Sequence, residues 1–195
     1  MRRVITSGLA ALMLSSAVVA NEGADYIGFG AFSGDGSRGY SKSDPNYEEY
    51  DTAGLSFKAG IHKQKFQSLE ASATILGTKT DLNNVVLFLG IDVDYIITPY
   101  ERRRNFITPF VSIGLGSYHF NGDTDNNNST YSETEGIAFN GKLGFYFKIT
   151  KNIEIETHMH GKSFLWNTSE NDTGENARRE ADSMTNYYLG INVHY

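Results

Sequence analysis

Ala53-Gly54-Leu55-Ser56-Phe57-Lys58-Ala59-Gly60-Ile61-His62 decides the fold. Ala53, Leu55, Phe57, Ala59 and Ile61 take one parity, and Gly54, Ser56, Lys58, Gly60 and His62 take the other. Successive side chains of an extended strand point to opposite faces, so a clean period of two over ten residues reads as a β-strand with one apolar and one polar face.

The same grammar runs outward in both directions. Upstream, Ile27, Phe29 and Ala31 alternate with Tyr26, Gly28 and Gly30. Downstream, Leu69, Ala71, Ala73 and Ile75 oppose Ser68, Glu70, Ser72 and Thr74, and a long strand over 85–97 carries Asp92 and Asp94 on its second face. Val111, Ile113 and Leu115 oppose Ser112, Gly114 and Gly116, with Pro109 near the strand start, where a missing ladder donor costs least. A sixth strand over 137–149 places Lys142 and Lys148 opposite Leu143, Phe145 and Phe147. The seventh sets Glu154, Glu156, His158, His160 and Lys162 against Ile153, Ile155 and Met159. The eighth sets Tyr187, Leu189, Ile191, Val193 and Tyr195 against Tyr188, Gly190, Asn192 and His194. Eight strands result, with no helix required. The expected fold is all-β: an eight-stranded antiparallel up-and-down transmembrane β-barrel.

Composition bounds the alternatives. The chain has 195 residues, no cysteine, 20 glycines and only 3 prolines, which suits one β unit with tight turns and excludes disulfides and thiolate metal sites. Lys and Arg total 17 against 23 Asp and Glu, a balance that argues against general nucleic-acid binding. The first twenty residues read as an address: Arg2 and Arg3, an apolar run, then Val18-Val19-Ala20 before Asn21. The expected organisation is a cleaved signal peptide over 1–20 and the barrel over 21–195. The run is shorter than a spanning helix needs, at about 20 apolar residues, and it is broken by Thr6, Ser7, Ser15 and Ser16.

Connections alternate in size. Short links fall at 63–67, 98–105 and 150–152, and long polar ones at 33–51, 121–135 and 167–182. Short turns on one rim and long loops on the other are the asymmetry of a transmembrane barrel. A soluble lipocalin-type barrel shares the period but turns its apolar face inward. The apolar faces here hold too many Leu, Ile and Phe for that narrow interior, and the polar faces are lined with glycine, which relieves crowding there. Aromatics near strand ends, among them Tyr26, Tyr95, Tyr100, Phe106, Trp166, Tyr187 and Tyr195, are expected at membrane interfaces.

Thr108-Pro109-Phe110-Val111-Ser112-Ile113-Gly114-Leu115-Gly116 and the last strand, ending on an aromatic, resemble the small outer-membrane β-barrel family that includes the OmpA transmembrane domain and OmpX. The resemblance covers the whole mature chain and implies a place in the bacterial outer membrane. Tyr187, Leu189, Ile191, Val193 and Tyr195 are similar to the C-terminal signal read by the barrel-assembly machinery, with Tyr195 standing where most clients carry Phe.

With lipid outside, Lys58, His62, Glu70, Asp92, Asp94, Lys142, Lys148, Glu154, Glu156, His158, His160, Lys162 and His194 collect in the lumen. Groups of both signs in one narrow interior are expected to pair, because unpaired buried charge is costly. The expectation is a salt-bridged plug. A narrow channel for small solutes or ions, or a pH-sensitive interior, is the alternative.

Chemistry finds weaker footing. Glu156, His158 and His160 share a face, but evenly spaced polar residues are what any lumen-facing strand shows. Outer-membrane lipid A deacylases and palmitoyltransferases supply an enzymatic reading; His160 and Ser163 are three apart and so face opposite sides. The run Asp123–Asn128 opens like a calcium loop but lacks Gly at the sixth position. No enzyme, cofactor or metal is therefore expected. The outer loops sum to −10 and the short turns to +5. Expected partners are outer-membrane lipid and lipopolysaccharide, bridged by divalent cations, the assembly machinery, and a surface ligand meeting loops 33–51, 121–135 and 167–182. The chain is expected to act as a monomer with a structural or surface-interaction role; a lipid-modifying enzyme or a soluble periplasmic ligand carrier is the remoter reading.

Overall fold

A computed structural model describes residues 25–38, 48–79, 85–102, 104–121, 134–167 and 181–195. The leader over 1–20, the calcium-like run and the centres of the long loops lie outside the described residues. Eight strands follow in chain order: β1 Tyr26–Arg38, β2 Glu48–Gln64, β3 Gln67–Lys79, β4 Val85–Ile97, β5 Ile107–Asn121, β6 Thr134–Lys148, β7 Ile153–Asn167 and β8 Ala181–His194. Each pairs antiparallel with the next, and β1 also pairs with β8, so the sheet closes and has no free edge. No helix occurs among the described residues.

Local chemistry sets the short turns. Between β2 and β3 the register shifts at His62/Gln64 and the chain reverses at Lys65 and Phe66. Between β6 and β7, the Thr150 hydroxyl accepts hydrogen bonds from the backbone N–H groups of Asn152 (3.2 Å) and Ile153 (3.0 Å), a side-chain turn that fixes the reversal. The β4–β5 turn is held to its neighbours, with Thr98 N–H donating to Phe66 (2.9 Å) and Lys148 N–H to Phe106 (2.8 Å).

The strands run further than alternation indicates. Residues 33–38 and 48–51, expected in a loop, belong to β1 and β2, and β5 and β8 extend in the same way, so the true long connections are shorter. Near this rim neither face of β1 is apolar, with Ser33, Asp35 and Ser37 on one and Gly34 and Gly36 on the other, so hydrophobic contrast vanishes while the ladder continues on both sides. Periodicity reports a difference between faces, not pairing itself.

Parity sorts the side chains as the face argument requires. Ile113, Leu189 and Phe139 are 71%, 64% and 53% exposed, and similar residues face outward on most strands, whereas Glu70 and Phe88 point inward and are buried. An apolar belt of this breadth exceeds the patches a soluble monomer tolerates. Inward glycines make room for large neighbours: a Cβ on Gly60 would run into the Tyr26 ring, and one on Gly90 into the Tyr118 ring. Tyr26 itself corrects an expectation. It is fully buried inside the barrel, not at the membrane interface, because its parity is that of Gly28 and Gly30.

Candidate functional site

Among the described residues, chemically active side chains converge in the interior, which is built in tiers. At the turn end, Arg102 leaves the β4–β5 turn and enters the barrel mouth. Its Nε donates to both Glu154 carboxylate oxygens (2.8 and 3.1 Å), and a terminal nitrogen also reaches Glu154. The guanidinium lies over the rings of Tyr146 (3.5 Å to centroid) and Tyr26 (4.4 Å). Burial opposes its charge, but Tyr146, Tyr26 and Glu154 lift its pKa well above the ordinary arginine value, so it stays cationic. His194 lies 3.7 Å from the same carboxylate.

Above this plug, Asn192 Nδ2 bridges Glu154 (3.3 Å) and Glu156 (2.9 Å). Glu156 also meets Lys58 and His158 Nδ1 (2.9 Å). Lys58 continues to Glu70 at 3.3 Å, Glu70 to Lys142 at 3.1 Å, and Lys142 to Asp94 at 2.8 Å. The Tyr26 hydroxyl donates to Glu70 (2.9 Å), tying this chain back to the plug. His158 stacks on Tyr188 with ring centroids 4.3 Å apart. A third tier centres on Asp92, which accepts from Lys162 (2.5 Å), Tyr118 (2.6 Å) and Asn140 (2.6 Å). Among the described residues the buried charges are four cations, Lys58, Arg102, Lys142 and Lys162, and five carboxylates, Glu70, Asp92, Asp94, Glu154 and Glu156. Near-equal numbers let most ions find a partner inside.

Toward the loop end an apolar tier closes the bore: Phe32, Leu76, Phe88, Tyr118, Ala138, Phe164, Met184 and Tyr188 pack together. Between the ionic and apolar tiers the free space beside His160, Asp92, Lys142 and Tyr188 is about 10 Å³, room for roughly one water. At the loop-end rim, a cavity of about 550 Å³ opens beside Asp35, Tyr50, Asp51, Lys79 and Thr185.

Of the residues expected in the lumen, Lys58, Glu70, Asp92, Asp94, Lys142, Glu154, Glu156, His158, His160, Lys162 and His194 lie buried there. His62 and Lys148 are only half-buried, at the turn-end rim, where His62 faces Asp25 at 3.1 Å. Tyr187, Leu189, Ile191, Val193 and Tyr195 of β8 and the C-terminus all project outward. Among the described residues no three His, Asp or Glu side chains are disposed to hold a metal ion. Arg102 lies in a turn, carries no strand parity and so has no signal in the spacing, whereas Tyr26, Tyr118, Tyr146, Asn140 and Asn192 share the inward parity of the lumen charges and are legible by it.

Two solved structures share the closed arrangement of eight strands. Neisserial surface protein A aligns with a TM-score of 0.55 at 12% identity, over 89% of this chain and 100% of its own. The outer membrane protein OprG from Pseudomonas aeruginosa aligns with a TM-score of 0.53 at 12% identity, over 88% of this chain and 96% of its own. The fold is that of the small outer-membrane β-barrels. At such identities the likeness extends to the fold alone. No family model and no curated relative matches the sequence.

Within this barrel type the apolar belt and the ionic bore have consistent roles. The belt's outward Leu, Ile and Phe have a solvent in lipid, and the bore keeps Lys58, Arg102, Lys142 and Lys162 beside carboxylates and away from it.

Proposed function

We propose that the protein is a closed outer-membrane barrel with a structural or surface-interaction role, serving envelope integrity or adhesion through its acidic loops rather than carrying solutes or performing catalysis. One observation carries the reading. The bore is sealed twice, by the Arg102–Glu154 ionic plug and by the apolar tier around Phe88 and Phe164, and the cavity beside His160 and Tyr188 has room for about one water. A channel needs both seals displaced.

On this reading residues 1–20 are a secretion signal cleaved after Ala20, the β8 face is the assembly signal, and the loops within 33–51, 121–135 and 167–182 meet lipopolysaccharide and any surface ligand. Asp35, Glu49 and Asp51 stand on the loop-end rim, where divalent cations can join them to lipid phosphates.

Fractionation of expressing cells, followed by gel migration with and without boiling, tests the location: a membrane-bound, heat-shifting band is expected, and a soluble periplasmic protein defeats it. Planar-bilayer recording tests the closure. The wild-type protein and Arg102→Ala should both be silent, because the apolar tier remains in the variant; steady unitary currents through the wild type would establish the channel reading instead.

A further inference from the structure

The two ends of the barrel carry opposite charge, and the turn end combines charge with exposed apolar side chains in a recurring way. Each of its three turns places an exposed cation within two residues of an exposed apolar residue. In the β2–β3 turn Lys65 precedes Phe66, which is 47% exposed, with Lys63 beside them. In the β4–β5 turn Arg104 stands two residues before Phe106, 66% exposed, and Tyr100 lies nearby. In the β6–β7 turn Ile149 is followed by exposed Lys151. Tyr195 completes the rim at the end of β8. Among the described residues the half-buried acidic side chains here are paired: Glu101 with Arg104 at 3.0 Å and Asp25 with His62 at 3.1 Å. Among the described residues, Lys63, Lys65 and Lys151 are the rim's exposed surplus.

We propose that this turn-end rim is a docking surface for anionic phospholipid headgroups in the leaflet it enters. The inference rests on the membrane-barrel reading above. Continuity with the apolar belt fixes the depth: Phe66, Tyr100, Phe106 and Tyr195 end the belt, and aromatic rings settle at headgroup level. The lysines project just beyond, where phosphate oxygens lie, and an ammonium on a flexible stem suits a phosphate as a point charge. Charge complementarity selects the lipid, since cations near an anionic leaflet gain attraction that decays within a Debye length. Asp35, Glu49 and Asp51 at the other rim oppose anionic headgroups directly, so the preference belongs to one leaflet. A nucleic acid is a poor occupant of a ring whose neighbouring surface is lipid-facing belt.

The test reconstitutes the full chain, purified from membranes in neutral detergent, into phosphatidylcholine bilayers. Electron spin resonance then gives the association of spin-labelled phosphatidylglycerol relative to spin-labelled phosphatidylcholine at the protein. A preference of about five-fold is expected, the effect of one lysine at an anionic surface. It should fall to parity in Lys63→Gln/Lys65→Gln/Lys151→Gln and in about 0.5 M sodium chloride, where the Debye length is under ~5 Å. The triple Lys→Arg variant should keep it, and heat-shifting gel migration verifies that each variant is folded. Parity in the wild type, or an undiminished preference in the Gln variant, overturns the proposal. So does loss of preference with inorganic phosphate but not with chloride at equal ionic strength, which would mark a free-phosphate site. Absence of a motionally restricted component with either lipid would overturn the membrane reading itself, a distinguishable failure.

Discussion

The Arg102 guanidinium lies 3.5 Å from the centroid of the Tyr146 ring while its Nε holds both carboxylate oxygens of Glu154. A residue of the β4–β5 turn thus becomes part of the barrel interior, and the turn is tied to β6 and β7. Removing it leaves Glu154 buried with His194 and Asn192 as its remaining partners. Arg102→Ala should therefore destabilise the folded barrel by about 3–5 kcal/mol, the usual cost of breaking a buried ion pair from one side. Urea unfolding in vesicles measures it. Arg102→Lys should recover only part, because an ammonium cannot make the two-oxygen contact while covering two rings.

Asp92 gathers three donors from three strands, Lys162, Tyr118 and Asn140. Asp92→Asn should cost about 3–5 kcal/mol, since it leaves Lys162 buried with its charge partner gone. Lys162→Met in the same chain should restore part of the loss. A double-mutant cycle with a coupling of about 1–3 kcal/mol is the expected outcome, and strict additivity would mean the two groups do not interact.

Glycines on the two faces should respond unequally. A Cβ on Gly90 meets the Tyr118 ring, whereas one on outward-facing Gly161 finds its nearest neighbour, the Met184 carbonyl oxygen, 4.0 Å away. Gly90→Ala should destabilise by about 1–3 kcal/mol through overpacking. Gly161→Ala should stay within about 0.5 kcal/mol of the wild type. Equal effects on unfolding midpoints would contradict the assignment of the faces.

Those contrasts mark what the sequence makes legible. Ala53 to His62 reveals strand, parity and face because lipid and lumen demand opposite chemistry at every step. Asp35 and Ser37 reveal nothing of their strand, since both faces there meet polar surroundings and pairing leaves no compositional trace. The lumen charges follow from parity alone, but their partners do not. Lys58 reaches Glu156 across the bore from β2 to β7, a relation set by closure and shear rather than by sequence distance. Arg102 is hidden for a different reason: a turn residue has no alternating neighbours to say which way it points. Tyr26 shows two signals in conflict, strand-end position favouring the interface and parity favouring the lumen, and the space left by Gly60 decides for parity.

The outward sense of the belt yields the sharpest contrast between substitutions. Ile191 on β8 is 53% exposed and pairs in register with Phe29 of β1 and Ile155 of β7, well inside the apolar band. An arginine there must cross hydrocarbon or drag water into it, which costs about 2–4 kcal/mol near the bilayer midplane. At Tyr195 the same charge reaches headgroups by extending its side chain and should cost at most about 1 kcal/mol. Ile191→Arg should accordingly lower the stability of the vesicle-inserted protein by several-fold more than Tyr195→Arg, as read from reversible denaturant titrations. In a soluble barrel both positions would face water and both substitutions would be nearly neutral, so the ratio of the two effects separates a lipid-facing belt from a solvent-facing one without reference to where the protein is found in the cell.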